Sequence, residues 1–147
     1  MISIEVVSLK LIKDKEVEVN LPSRQIKSPR DVVELLQALI GADDREHCIL
    51  ITLDTKNQIN KIHTVSIGSL NASIVHPREV FKLAVKTNAA SIIISHNHPS
   101  GNTIESKEDI EITERLKEAG KILGIELLDH IIVGEDSYRS LREQGYI

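Results

Sequence analysis

The side chains best suited to chemistry lie in one stretch, Ser95-His96-Asn97-His98-Pro99-Ser100-Gly101, followed by Ser106-Lys107-Glu108-Asp109. His96 and His98 follow an apolar run from Ser91 that reads as a short, central strand. Residues two apart on an extended segment point the same way, so both imidazoles reach one ion. Asp109 offers a carboxylate in the first turn of the next helix. Two nitrogens and one oxygen, with a further position left for water, form the pattern of a catalytic rather than a structural zinc site. Zinc in such a site brings the pKa of water towards neutrality. The chemistry also needs a base, and Glu46 is the best candidate. It starts a strand whose same-face neighbours, Cys48 and Leu50, are apolar. A carboxylate is unusual on such a face unless something polar meets it.

Each piece also has a plainer reading. His-x-His alone is a weak metal signal. Ser106-x-x-Asp109 is equally a helix start, with Ser106 as N-cap and Asp109 favoured by the helix dipole. Asp109 nevertheless lies three residues before Ile112 and seven before Leu116, on the inward stripe. A cap does not require that placement, whereas a ligand does. Glu46 alone is more often a strand-edge carboxylate paired with a basic residue. His47, His63 and His76 read as surface or core histidines. Asp129 and His130, near the last strand, either support a ligand or are structural, and the structural reading is favoured. Cys48 reads as a small core residue.

The elements that must position these groups alternate between strand and helix. Ile2–Ile12 reads as a strand, Lys13–Lys15 as a turn and Glu16–Asn20 as a second, exposed strand. Leu21–Lys27 is a polar connection. Ser28-Pro29 opens a helix, with Ser28 as N-cap and Val32, Leu36, Leu39 and Ile40 at helical spacing, and Gly41 ends it. Arg45–Asp54 and Gln58–Ile67 form a hairpin about Thr55-Lys56-Asn57. His76–Asn88 suits a helix with Val80, Ala84 and Val85 inward. The longest helix begins at Ser106 and runs to about Gly124, with Ile112, Leu116, Ala119 and Leu123 as its apolar stripe. Ile125–Val133 is a last strand, and Ser137–Glu143 a final helical turn. The mixture predicts an α/β fold, a three-layer sandwich.

Composition bounds the function. The chain of 147 residues suits one domain, with 1–27 a strand-rich extension and 28–147 the core. Its net charge is −4 and its pI about 5.9. That argues against a protein whose main task is neutralising phosphates. One Phe, two Tyr and no Trp nearly exclude a base-stacking platform. A single cysteine excludes an intrachain disulfide and a thiolate zinc cluster. No basic region followed by an apolar run marks the N-terminus. The longest apolar runs, such as Ile92–Ile94, are too short to span a bilayer. A cytoplasmic, reduced protein without membrane association is expected.

A glutamate in a strand, then His-x-His, seven residues and Ser-x-x-Asp, resembles the JAMM (MPN+) zinc metalloprotease motif: here Glu46, His96, His98, Ser106 and Asp109. The wider text resembles the JAB-type domain of the bacterial RadC family. It does so in His96–Gly101, in Leu53-Asp54-Thr55-Lys56-Asn57, in Val75-His76-Pro77-Arg78-Glu79-Val80 and in Leu128-Asp129-His130-Ile131-Ile132. The likeness runs from about Ser28 to the C-terminus. It implies a three-layer α/β sandwich of the JAB/MPN, cytidine-deaminase-like type, with a mixed sheet flanked by helices. It further implies one Zn2+ per chain on His96, His98 and Asp109, Glu46 as general acid/base, and Ser106 as a stabiliser of the tetrahedral oxyanion. The implied activity is hydrolysis of a peptide or isopeptide bond in a protein or peptide substrate.

Two departures stand out. The family usually has proline before the motif serine, where this chain has Glu105. Many members also carry an N-terminal helix-hairpin-helix region, for which 147 residues leave no room. Two other classes of function compete. The family's association with DNA repair suggests a DNA-binding protein, against which stand the acidic charge and the scarce aromatics. A non-catalytic zinc-binding interaction module is the other, against which stands the presence of all the motif residues.

Overall fold

The computed structural model describes residues 1–68 and 75–147. In chain order its elements are α1 (Arg30–Leu36), β1 (His47–Leu53), β2 (Ile59–Ile67), α2 (Pro77–Lys86), β3 (Ser91–Asn97), α3 (Lys107–Leu123), β4 (Glu126–Val133) and β5 (Tyr138–Ser140). The strands form one mixed sheet in the order β2-β1-β3-β4-β5. β1 runs antiparallel to both β2 and β3, α3 carries the chain across to a parallel β3–β4 pair, and β5 returns antiparallel to β4.

β3 is central because every one of its residues is buried. A near-continuous apolar run marks a strand covered on both faces. One face packs Leu50, Ile92 and Ile94 against α2 and α3, through Val80, Phe81, Ile112 and Leu116. The other packs Ile49, Ile51, Ile93 and Ile131 against α1, through Val32, Val33, Leu35 and Leu36. Helices on both faces of the sheet make the expected three layers.

Several local expectations change. Residues 1–20 carry no regular secondary structure and are exposed throughout, so the two N-terminal strands do not form. A two-stranded ribbon without a face to bury is marginal in water. The Leu21–Lys27 connection is less polar in practice than in composition. Ile26 is buried in the α1-side core, and Gln25 bridges Gln58 ahead of β2. Ser28 does not cap α1 with its side chain. Instead the Asp31 carboxylate accepts the Lys27 and Ser28 N–H groups, at 2.6 and 2.9 Å. α1 then widens into a π-helical turn over Gln37–Gly41. On α2, Phe81 points inward and Val85 outward, and on α3 Leu123 is exposed. His76 caps α2, its Nδ1 accepting the Arg78 N–H at 3.1 Å. The segment expected as a final helical turn opens as β5, because its backbone completes the β4 edge.

The end of α3 is held by one close approach. Gly120 accepts the Ile125 N–H at 2.9 Å as the chain turns into β4, after a left-handed Gly124. A Cβ at position 120 would stand 2.3 Å from the Ile125 carbonyl oxygen, a backbone atom that cannot step aside. Gly120→Ala therefore lowers the unfolding free energy by about 1–3 kcal/mol, despite the better helix propensity of alanine. Urea denaturation of the two proteins measures the difference.

Candidate metal centre

The site is built where β3 runs out. On β3, Ile92, Ile94 and His96 share the α3-facing side, so the alternation that buries two isoleucines also buries an imidazole. His98 continues that side beyond the strand, held by its own N–H to the Val133 carbonyl at 3.1 Å. Asp109 is the third residue of α3 and only 2% exposed. The cap and the inward placement both hold. Ser106 Oγ accepts the Asp109 N–H at 3.2 Å, while Asp109 Oδ2 accepts the Ser106 N–H at 2.7 Å.

The three side chains converge. His96 Nε2 lies 2.9 Å from Asp109 Oδ1 and 3.0 Å from His98 Nε2, and His98 Nε2 lies 3.3 Å from Asp109 Oδ2. All three donor atoms fall within 4.8 Å of one another, as a metal ion requires. The chemistry of the donors fits a cation as well. His98 Nδ1 lies 2.7 Å from the Asn102 carbonyl, which can only accept, so Nδ1 carries a proton and Nε2 is the ring nitrogen presented to the cluster. Two nitrogens and a carboxylate in mutual contact inside the protein suit Zn2+, whose ligands are of these types.

The electrostatics follow from the same contacts. Burial opposes ionisation of Asp109, but hydrogen bonds from His96 and His98 outweigh it and hold the carboxyl well below the usual range. Asp109 in turn raises His98, against the opposing effect of burial. Complete burial, with His96 beside it, pushes His130 down to about 3, so that ring is neutral. Burial also pushes the Cys48 thiol up to about 12, in keeping with a core residue and not a nucleophile.

Glu46 precedes β1 and lines the same cleft as His98, Ser106 and Asp109, a hollow of about 440 Å³ that also meets Pro99 and Ser100. Its backbone is placed by Asn97, the residue between the two histidines. Asn97 is fully buried on the opposite side of β3. Its Oδ1 accepts the His47 N–H at 2.7 Å, and its Nδ2 donates to the carbonyls of Arg45 and Asp43, at 2.8 and 3.3 Å. The segment carrying Glu46 is thus tied to the segment carrying His96 and His98.

One residue favoured as structural in the sequence lies against the cluster. His130 lies on β4 opposite Ile94, and its Nε2 is 2.8 Å from His96 Nδ1, so it touches the site directly. Its signals in the sequence were a polar residue inside an apolar strand and its place in the Leu128–Ile132 stretch that carries the family resemblance. Asp129 is structural, accepting from the Ser140 hydroxyl and the Arg142 N–H at 2.6 and 3.1 Å, which clasps the C-terminal segment to β4. Burial raises its pKa. Glu105, in place of the proline, pairs with the Arg139 guanidinium and receives the Tyr146 hydroxyl at 3.4 Å. An ion pair to β5 thus restrains the loop ahead of Ser106.

Residues 26–146 match the model of the RadC-like JAB domain. The chain belongs to this family. It is 53% identical over 137 residues to a UPF0758 protein of Methanosarcina mazei, covering 93% of this chain and 60% of that one. To a UPF0758 protein of Geobacillus sp. it is 54% identical over 122 residues, 83% of this chain and 54% of the relative. The chain thus spans little more than half the length of these curated relatives. Among its described residues, no helix is long and apolar enough to cross a membrane.

The Asn97 clamp is open to test. Asn97→Ala leaves the first N–H of β1 and two carbonyls without their partner in a part-buried setting, and lowers the unfolding free energy by about 1–3 kcal/mol. Chemical denaturation reads this loss, and hydrogen exchange localises it to faster exchange at the His47 amide.

Proposed function

We propose that this RadC-like JAB domain is a zinc-dependent hydrolase of peptide or isopeptide bonds. The observation that carries the reading is the convergence of His96 Nε2, His98 Nε2 and the Asp109 carboxylate beside a cleft lined by His98, Asp109, Glu46 and Ser106. His96, His98 and Asp109 would hold the zinc, one ion per chain. Zinc supplies Lewis acidity there, easing deprotonation of water and polarising the substrate carbonyl.

The chain's own groups do the rest. Glu46 takes a proton from the attacking water, whose oxygen forms a bond to the amide carbon. The carbonyl π electrons move to oxygen, and Ser106 donates a hydrogen bond to that developing oxyanion. Its hydroxyl oxygen already receives the Asp109 amide, which leaves the hydroxyl proton as the donor. Collapse of the intermediate breaks the C–N bond, and Glu46 returns the proton to the leaving amine. Carboxylic acid and amine are the products. Loop 98–106, held by Glu105 and Arg139, forms one wall against which an extended substrate lies. The substrate class is a protein or peptide, and the protein acts in the cytoplasm.

Three outcomes follow. Elemental mass spectrometry of protein purified without chelator finds about one zinc per chain, and none in the His96→Ala/His98→Ala double variant. Asp109→Ala lowers zinc affinity, and unchanged zinc content removes Asp109 from the ligand set. Glu46→Gln keeps its zinc and loses about 10²–10⁴-fold in hydrolysis of a responsive peptide or isopeptide substrate. Full activity of that variant defeats the assignment of the base.

A further inference from the structure

Behind His96 runs a closed line of buried polar groups that the proposed hydrolysis does not use. His96 Nδ1 meets His130 Nε2 at 2.8 Å, and His130 Nδ1 meets Thr113 Oγ1 at 2.6 Å. Thr113 Oγ1 donates to the Asp109 carbonyl at 2.8 Å. His96, Thr113 and His130 are each 0% exposed, so water does not offer itself as a substitute partner.

One polarity of this line leaves the His96 Nε2 lone pair to a cation. In it the single proton of Thr113 goes to the Asp109 carbonyl, which can only accept. Thr113 Oγ1 can then only accept from His130, which places the His130 proton on Nδ1. His130 Nε2 is left with its lone pair and accepts from His96 Nδ1. The His96 proton is therefore on Nδ1, and its lone pair is on Nε2, the atom facing His98 and Asp109. The reverse polarity, with Thr113 donating to His130 and His96 donating from Nε2 to Asp109, would spend the lone pair that a metal needs.

We propose that His130, anchored by Thr113, is a positioning residue that locks His96 in the tautomer and ring orientation able to ligate a metal through Nε2. The line begins on the backbone of Asp109 and ends on the ring of His96, so two ligands from different elements are set by one network. The proposal rests on the reading of His96 as a zinc ligand. Groups that orient a metal-bound histidine typically contribute 10–100-fold to metal affinity.

The test compares zinc affinity, by competition with a chromogenic chelator, in the full chain and in Thr113→Val, Thr113→Ser and His130→Phe. Thr113→Val keeps the shape of the side chain and removes the acceptor, and Thr113→Ser restores it. The expected result is a loss of about 10–100-fold for Thr113→Val and His130→Phe, and affinity within a few-fold of the parent for Thr113→Ser. Long-range 1H–15N spectra of the zinc-loaded parent place the His96 proton on Nδ1. Should His130→Phe not fold, the two threonine variants decide alone. Parent-like affinity in folded Thr113→Val, or a His96 proton found on Nε2, overturns the proposal and leaves the metal site standing. A parent that binds no zinc overturns the metal reading itself.

Discussion

A buried carboxylate placed 2.9 Å from one imidazole and 3.3 Å from another demands that two separate stretches of chain, the end of β3 and the start of α3, be held firmly together. Asp109 meets this demand through two distinct sets of bonds. Its backbone N–H and one carboxylate oxygen close the capping box with Ser106, and its carbonyl receives Thr113. The carboxylate therefore has little freedom to turn away from the histidines. Such prior ordering matters because a metal-binding cluster assembled only on binding would have to meet that ordering cost at the same moment.

The sheet provides the matching rigidity on the histidine side. β3 is bonded to β1 on one edge and β4 on the other, so neither its register nor its twist can adjust alone. At its end, the two faces of the strand have different duties. His96 faces α3 and Asp109, while Asn97 faces the opposite layer and fastens the Glu46 segment. Alternation along a single strand thus turns His96 to the cluster and Asn97 to the Glu46 segment from adjacent positions. The Glu105–Arg139 pair then ties the following loop to β5.

Much of this arrangement was legible in the residues themselves. The run of isoleucines marked β3 as central, and the inward stripe of α3 marked Asp109 as a buried carboxylate and more than a simple cap. The His-x-His spacing put both Nε2 atoms on one side. These are local properties, set by the two-residue period of a strand and the 3.6-residue period of a helix. Other features failed for equally local reasons. The N-terminal alternation has the pattern of strands, yet pattern alone supplies no partner, and residues 1–20 stay exposed. Ser137–Glu143 has no strong period, and the free edge of β4 decided in favour of β5.

The sequence by itself therefore determined the core elements from β1 to β4 and the identity of the converging donors, because these are written in the local periods of strand and helix, and its motifs carried the family resemblance. Only the tertiary structure decided which groups stand behind those donors. His130 is 34 residues from His96 and Thr113 is 17 from His130. Parallel pairing of β3 with β4, and the packing of α3 across them, bring the three into one hydrogen-bonded line. No periodicity encodes such a meeting, since it depends on the register between strands and on the depth at which a helix crosses them.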